Sequence, residues 1–201
     1  MIQAEDPRVI LASQSAARAA VLRGAGLRFE TRPARVDEAA VKGSMRAEGA
    51  DPDATALALA GLKAARIRDP AALVIGADQL LVCEDAWFDK PEDAGAARHQ
   101  LLTLRGKAHV LVTAVVCMRG GEEIWRHVAR PRLLMRAFTE RFLDAYLAAE
   151  GDAILSSVGA YRLEGLGIQL FDAVEGEHAA ILGLPLLAVL GFFRQHRVLT
   201  A

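Results

Sequence analysis

Several polar side chains stand where apolar segments of this sequence begin or end. In V-I-G-A-D-Q-L-L-V, Asp78 lies between two apolar runs, and an ionised carboxylate placed there requires a partner. Asp37 and Glu38 close the stretch A-R-V-D-E-A just after a strand-like segment, and Lys63 interrupts an alanine-rich helical pattern. Lys90 precedes Pro91, and Lys107 and His109 flank the start of an apolar strand. Near the N-terminus, V-I-L-A runs into Ser13-Gln14-Ser15, with Arg18 one turn into the helix-like segment that follows. Serine hydroxyls and free N–H groups at a helix start suit a phosphate, and an arginine adds a charge-assisted donor. Carboxylates hold Mg²⁺ with the help of substrate phosphates, while lysines offset polyphosphate charge. The set therefore fits a polyphosphate-plus-metal site. Singly, each residue has an ordinary reading: a serine as an N-cap, Asp78 accepting backbone N–H bonds in a turn, Glu38 as a surface acid, His109 as a strand histidine, lysines as snorkelling surface stems.

Other chemistries are missing from the chain. Gly106-Lys107 is followed by Ala108, so no Walker A loop is formed, and no G-x-G-x-x-G follows the first strand. H-E-x-x-H, C-x-x-C and G-x-S-x-G are all absent, and the five histidines are scattered. The formal charge of −1 gives no general affinity for nucleic acid polymers or anionic membranes. With 53% hydrophobic and 24% charged residues, the 201-residue chain is globular and long enough to bury a core. Cys83 and Cys117 both sit in apolar runs, which points to buried thiols in a reducing, cytoplasmic setting. The N-terminal M-I-Q-A-E-D-P-R-V lacks the apolar core of a signal peptide. The stretch Ala179 to Phe193 contains Pro185 and is too short for a bilayer span, so it reads as a buried core helix.

The elements that must position these groups follow from periodicity. Arg8–Ala12 reads as a buried strand and Ser15–Ala25 as a helix ended by Gly26, with a short strand at Leu27–Arg32. Pro52 fits N1 of a helix running to about Arg68. Leu73–Gly76 and Leu80–Cys83 read as strands broken by Ala77-Asp78-Gln79, and Pro91 opens a helix to about Leu104. Ala108–Met118 and Glu123–Met135 form a hairpin around Arg119-Gly120-Gly121. Thr139 caps a helix to about Ala149, short strands and turns follow, and Pro185 starts a C-terminal helix. Helices and strands interleave around an antiparallel hairpin, which predicts an α/β fold with a mixed sheet, in one domain over residues 1–201.

In order along the chain, L-A-S-Q-S-A-A-R, V-D-E, L-K-A, V-I-G-A-D-Q, D-K-P, L-R-G-K-A-H and L-E-G-L-G…V-E-G-E-H-A-A-I-L-G-L-P-L resemble the Maf family of nucleoside triphosphate pyrophosphatases. The likeness runs from about Val9 to Leu190. It implies an elongated mixed sheet with flanking helices, two lobes around a cleft, and kinship with the inosine triphosphatase class. It implies hydrolysis of a nucleoside triphosphate to the monophosphate and pyrophosphate with a divalent metal, Mg²⁺ or Mn²⁺, often by a homodimer. On this resemblance Asp78 is the proton acceptor for the attacking water and a metal-side acid, and Glu38 is the other metal-side acid. Ser13, Ser15 and Arg18 contact phosphate, Lys63, Lys90 and Lys107 line the cleft, and His109 joins the substrate-binding set.

The chain departs from the family at several positions. The first loop, commonly S-P-R-R or S-P-W-R, is Ser15-Ala16-Ala17-Arg18 here, and the K-A-G block before the family's tyrosine is Ser157-Val158-Gly159, without the lysine. The positions that separate the family's branches by nucleobase hold Ala17, Gln79 and Glu164. The last two match the 7-methyl-GTP branch, whereas Ala17 replaces the tryptophan that would stack on a cationic methylated base. A guanine-type base is expected, because a carboxylate at 164 can accept from both N1–H and N2–H₂. A nucleotide-binding regulator of cell division without turnover is the alternative that the lost lysine leaves open.

Overall fold

The computed structural model describes residues 2–200. Val9, Ile10 and Leu11 form β1 (Val9–Leu11), which pairs in parallel with β2 (Glu30–Thr31) on one side and with β3 (Leu73–Cys83) on the other. Side chains alternate across a strand, and here both sides are covered. Val9, Leu11, Leu73, Ile75 and Ala77 face a core shared with Leu22, Val189 and Phe193. Ile10, Ala12 and Val74 face the opposite side, against Ala64. Burial on both faces explains why these strands read as continuous apolar runs.

Helix α1 (Ala16–Gly24) follows β1 directly, and α2 (Glu38–Ala47) and α3 (Pro52–Ala65) precede β3. The antiparallel β4 (Ala86–Phe88) and helix α4 (Ala94–Leu104) come next, then β5 (Ala108–Arg119), β6 (Glu122–Ala129) and β7 (Arg132–Met135). The β5–β6 hairpin turns on Gly120 and Gly121, whose positive φ values of 60° and 85° suit a tight two-residue loop. Helix α5 (Glu140–Glu150) leads through short 3₁₀ turns to β8 (Phe171–Glu175), α6 (His178–Ile181) and α7 (Leu186–Gln195). Among the described residues the strands form one mixed sheet, in the order β2-β1-β3-β5-β7-β8, with β4 on β3 and β6 on β5. The mixed α/β architecture expected from the sequence is the one observed.

The described residues fall into two compact units. One takes in the chain up to Gln79, then Thr113–Ala129 and everything from Glu177 on; the other holds Leu80–Val112 and Arg130–Gly176. Among the described residues, no helix is long and apolar enough to cross a membrane.

Four expectations are revised. The break expected at Ala77-Asp78-Gln79 is absent, and β3 runs unbroken through Asp78, because that carboxylate finds an ammonium partner within the fold. Residues 38–47, left outside any element by periodicity, form α2; its helix is set by the Asp37 cap, and it buries no residue that would give an apolar signal. The second run of the hairpin is split at Arg130-Pro131, where proline cannot donate to the ladder. The apolar stretch 179–193 is not one helix but two, divided at Gly183 with φ 97°.

Candidate active site

The first unit gathers seven of the candidate residues around the end of β1 and the middle of β3. Gly76 and Asp78 lie on the face of β3 that meets α3. A Cβ on Gly76 would stand 2.0 Å from the Ala60 carbonyl oxygen and 2.8 Å from the Ala64 nitrogen, so only glycine lets α3 lie this close. That approach carries Lys63 onto Asp78, where Nζ donates to Asp78 Oδ1 at 2.5 Å. The same Nζ is 2.6 Å from Glu38 Oε1. Glu38 is the first residue of α2, placed there by Asp37, whose Oδ1 accepts from the Ala40 N–H at 3.0 Å.

Lys63 and Asp78 are 9% and 4% exposed at their side chains, while Glu38 is 43% exposed. The ammonium thus bridges one deeply buried carboxylate and one at the surface. It satisfies only one oxygen of Asp78. Oδ2 is buried and has no hydrogen-bond partner.

The β1–α1 turn supplies the remaining groups. Ser15 Oγ caps α1 by accepting from the Arg18 N–H at 3.3 Å, and Ser13 Oγ accepts from the Ser15 N–H at 3.1 Å. The Arg18 guanidinium donates through Nε to the Gly183 carbonyl at 2.8 Å and through Nη1 to Ser13 Oγ at 3.4 Å. Burial lowers the pKa of Arg18, and the charges of Asp78 and Glu38 oppose that shift. Arginine stays protonated regardless, so two cations and two carboxylates share this region.

Gln79 follows Asp78 and is half-buried. Its Nε2 lies 2.7 Å from Thr113 Oγ1, 3.0 Å from the Ala180 carbonyl and 3.1 Å from the Ile181 carbonyl. Two carbonyl acceptors fix the orientation of the amide and consume its two donors. Thr113 is fully buried and donates to the Ala180 carbonyl at 3.0 Å. Sequence reasoning passed over Thr113, although a lone hydroxyl in V-L-V-T-A-V-V was a legible signal. It also passed over Gly183, which gives no such signal because only its carbonyl acts.

The other four candidates lie in the second unit. Lys90 is exposed beyond β4. Lys107 pairs with Glu84 at 3.1 Å, at 40% and 70% side-chain exposure, a geometry that contributes little to stability. Glu164 is exposed on the turn after Tyr161, with Arg162 Nε at 3.4 Å from its Oε1.

His109 is 2% exposed and is enclosed by aromatic neighbours. Its Nε2 meets Tyr161 Oη at 2.9 Å, its ring packs at a tilt on Tyr161 and Phe171, and Nδ1 has no partner. Burial pushes its pKa down to about 4, so the ring is neutral near pH 7. Burial likewise pushes the Tyr161 hydroxyl up.

Among the described residues, no group of three or more His, Cys, Asp or Glu side chains is gathered to enclose a metal. Glu38 and Asp78 are the acids held by a common ammonium, and the unmet Asp78 Oδ2 is the kind of oxygen that Mg²⁺ takes, with water and phosphate completing its shell.

A serine-arginine turn thus follows β1, and a buried acid–lysine pair joins β3 to α3. The sequence profile of the family described as "Maf-like protein" matches residues 8–196. The chain belongs to this family. It is 60% identical over 195 residues to a nucleoside triphosphate pyrophosphatase of Granulibacter bethesdensis, covering 96% of this chain and 99% of the relative. A protein of the same name from Paramagnetospirillum magneticum is 54% identical over 189 residues, covering 93% and 97%. A 7-methyl-GTP pyrophosphatase of Rhizobium etli is 45% identical over 191 residues, covering 94% and 96%.

Proposed function

We propose that this protein hydrolyses nucleoside triphosphates to the monophosphate and pyrophosphate, with Asp78 as the acceptor of the proton from the attacking water. One observation carries the reading: Lys63 fixes Oδ1 of a buried carboxylate and leaves Oδ2 with unused lone pairs. A general base needs such an atom, held in place with a lone pair free to take the proton. The names and near full-length identity of the relatives support the same reaction. Ser13, Ser15 and Arg18 bind phosphate at the β1–α1 turn, and Lys63, Lys90 and Lys107 offset the charge of the triphosphate and the leaving pyrophosphate. Glu38 and Asp78 hold a divalent cation, Mg²⁺ or Mn²⁺, which when bound neutralises phosphate charge.

The preferred base is of the guanine type. Gln79 presents an acceptor, since its two donors are spent on the Ala180 and Ile181 carbonyls, and Glu164 is acceptor-only when ionised. A guanine edge offers N1–H and N2–H₂ as donors, which a pyrimidine does not match. Ala17 supplies no aromatic face, so selection for 7-methylation is weak even though relatives named 7-methyl-GTP pyrophosphatase stand at 45% and 44% identity. The enzyme works in the cytoplasm on free nucleotides, as a homodimer. Steady-state rates on GTP, 7-methyl-GTP, UTP and dTTP, each with Mg²⁺, with Mn²⁺ and with EDTA, test this reading. It predicts metal-dependent pyrophosphate release, fastest on GTP and within about tenfold on 7-methyl-GTP. A strong dTTP preference would overturn the base assignment, and undiminished rates in EDTA would overturn the metal.

A further inference from the structure

Glu150 is the last residue of α5, the helix end where a negative charge is disfavoured, and its side chain is only 6% exposed. A carboxylate in that position requires compensation, and all of it comes from one short segment. Its Oε1 accepts from the Leu166 N–H at 2.8 Å, and its Oε2 lies 3.4 Å from Arg162 Nη1. Between those two residues, a Cβ on Gly165 would stand 2.7 Å from Glu150 Oε1, so the turn closes on the carboxylate and any larger residue would displace it. The preceding residues are fixed as well: Tyr146 of α5 donates to the Ala160 carbonyl at 3.2 Å, and Tyr161 meets His109. Within 160–166 the exposed acid is Glu164, and Arg162, already on Glu150, reaches it through Nε at 3.4 Å.

From this geometry we propose that Glu150 and Arg162 are positioning residues that fix the turn carrying Glu164 and thereby set discrimination between nucleobases. The inference rests on the reading of Glu164 as a base contact. A buried acid at the wrong end of a helix dipole is a costly way to hold a surface loop, and its cost is offset here by two groups of a single turn, the Leu166 N–H and the Arg162 guanidinium. Arg162 also places a positive charge beside Glu164, which lessens the pull of that acid on a cationic base and favours a neutral guanine edge.

The test is kcat and KM on GTP and UTP, with melting temperatures, for the wild type, Glu150→Gln, Arg162→Ala and Glu164→Gln. Arg162→Ala alters a half-exposed side chain and keeps the experiment readable if Glu150→Gln folds poorly. The expected result is a GTP/UTP ratio of kcat/KM lowered roughly tenfold in Glu150→Gln and Arg162→Ala, through KM for GTP, with kcat on UTP within about twofold of wild type. Glu164→Gln lowers the ratio at least as far. If Glu164→Gln lowers it and the other two do not, the positioning role is overturned. Equal losses on GTP and UTP accompanied by a lower melting temperature reduce the pair to a structural contact and overturn it too. A wild type without base preference, or a Glu164→Gln variant that keeps it, overturns the reading of Glu164 itself, and the positioning role goes with it.

Discussion

At the scale of single residues, the centre of the account is the contact between Lys63 and Asp78. Both are buried, and each is tolerated there because the other is present. Lys63→Met keeps the stem and removes the charge, leaving Asp78 buried without its counter-ion; unfolding by denaturant should show a loss of about 3–5 kcal/mol. Asp78 in an apolar run and Lys63 among alanines were both visible in the sequence as polar groups needing partners. That they are each other's partner was not, since the pairing depends on α3 lying against β3.

His109 shows the opposite limit. Its place after Lys107 gave it the pattern of a site residue, but it is buried on Tyr161 and Phe171. Its pKa of about 4 lies below the ordinary 6.5, so between those values the unfolded chain binds a proton that the folded protein does not. Stability is therefore complete above pH 6.5 and is lost as pH falls through 4, by of order 3 kcal/mol. Melting curves from pH 7 to 4 for the wild type and His109→Asn check this: the difference between them should narrow steadily towards pH 4.

At the scale of elements, a single glycine decides how closely a helix lies on the sheet. Gly76 is the point where α3 touches β3, and Gly76→Ala would place a methyl group into the Ala60 carbonyl oxygen. The helix must move, at a cost of about 1–3 kcal/mol, and Lys63 moves with it. Activity should accordingly fall by more than stability does, which assays at a temperature well below the measured melting point would reveal. Strands β1 and β5, helix α3 and the caps Ser15 and Thr139 were legible because apolar runs, Pro52 and the cap residues carry local signals. Helix α2 was not, because it buries none of its residues; only Asp37, its N-cap, marked it. The continuity of β3 was hidden for a related reason, since a charged residue in a strand reads as a break until its partner is known.

At the scale of the whole molecule, the order of the polar blocks along the chain was more informative than any one of them. Membership of the Maf-like family over residues 8–196 accords with that ordered set. The contacts of Gln79, Thr113 and Glu150 were the least legible, because these side chains engage backbone groups distant in sequence and leave no periodic trace. The claim that unites the scales is that Asp78 contributes far more to turnover than to nucleotide binding. Pyrophosphate release from GTP with Mg²⁺, measured for the wild type and Asp78→Asn alongside nucleotide affinity, tests it most directly. The account predicts release reduced by about 10³-fold or more in Asp78→Asn with the dissociation constant changed by less than about tenfold. An Asp78→Asn enzyme that releases pyrophosphate at the wild-type rate would contradict it, as would a wild type that binds GTP and never turns it over.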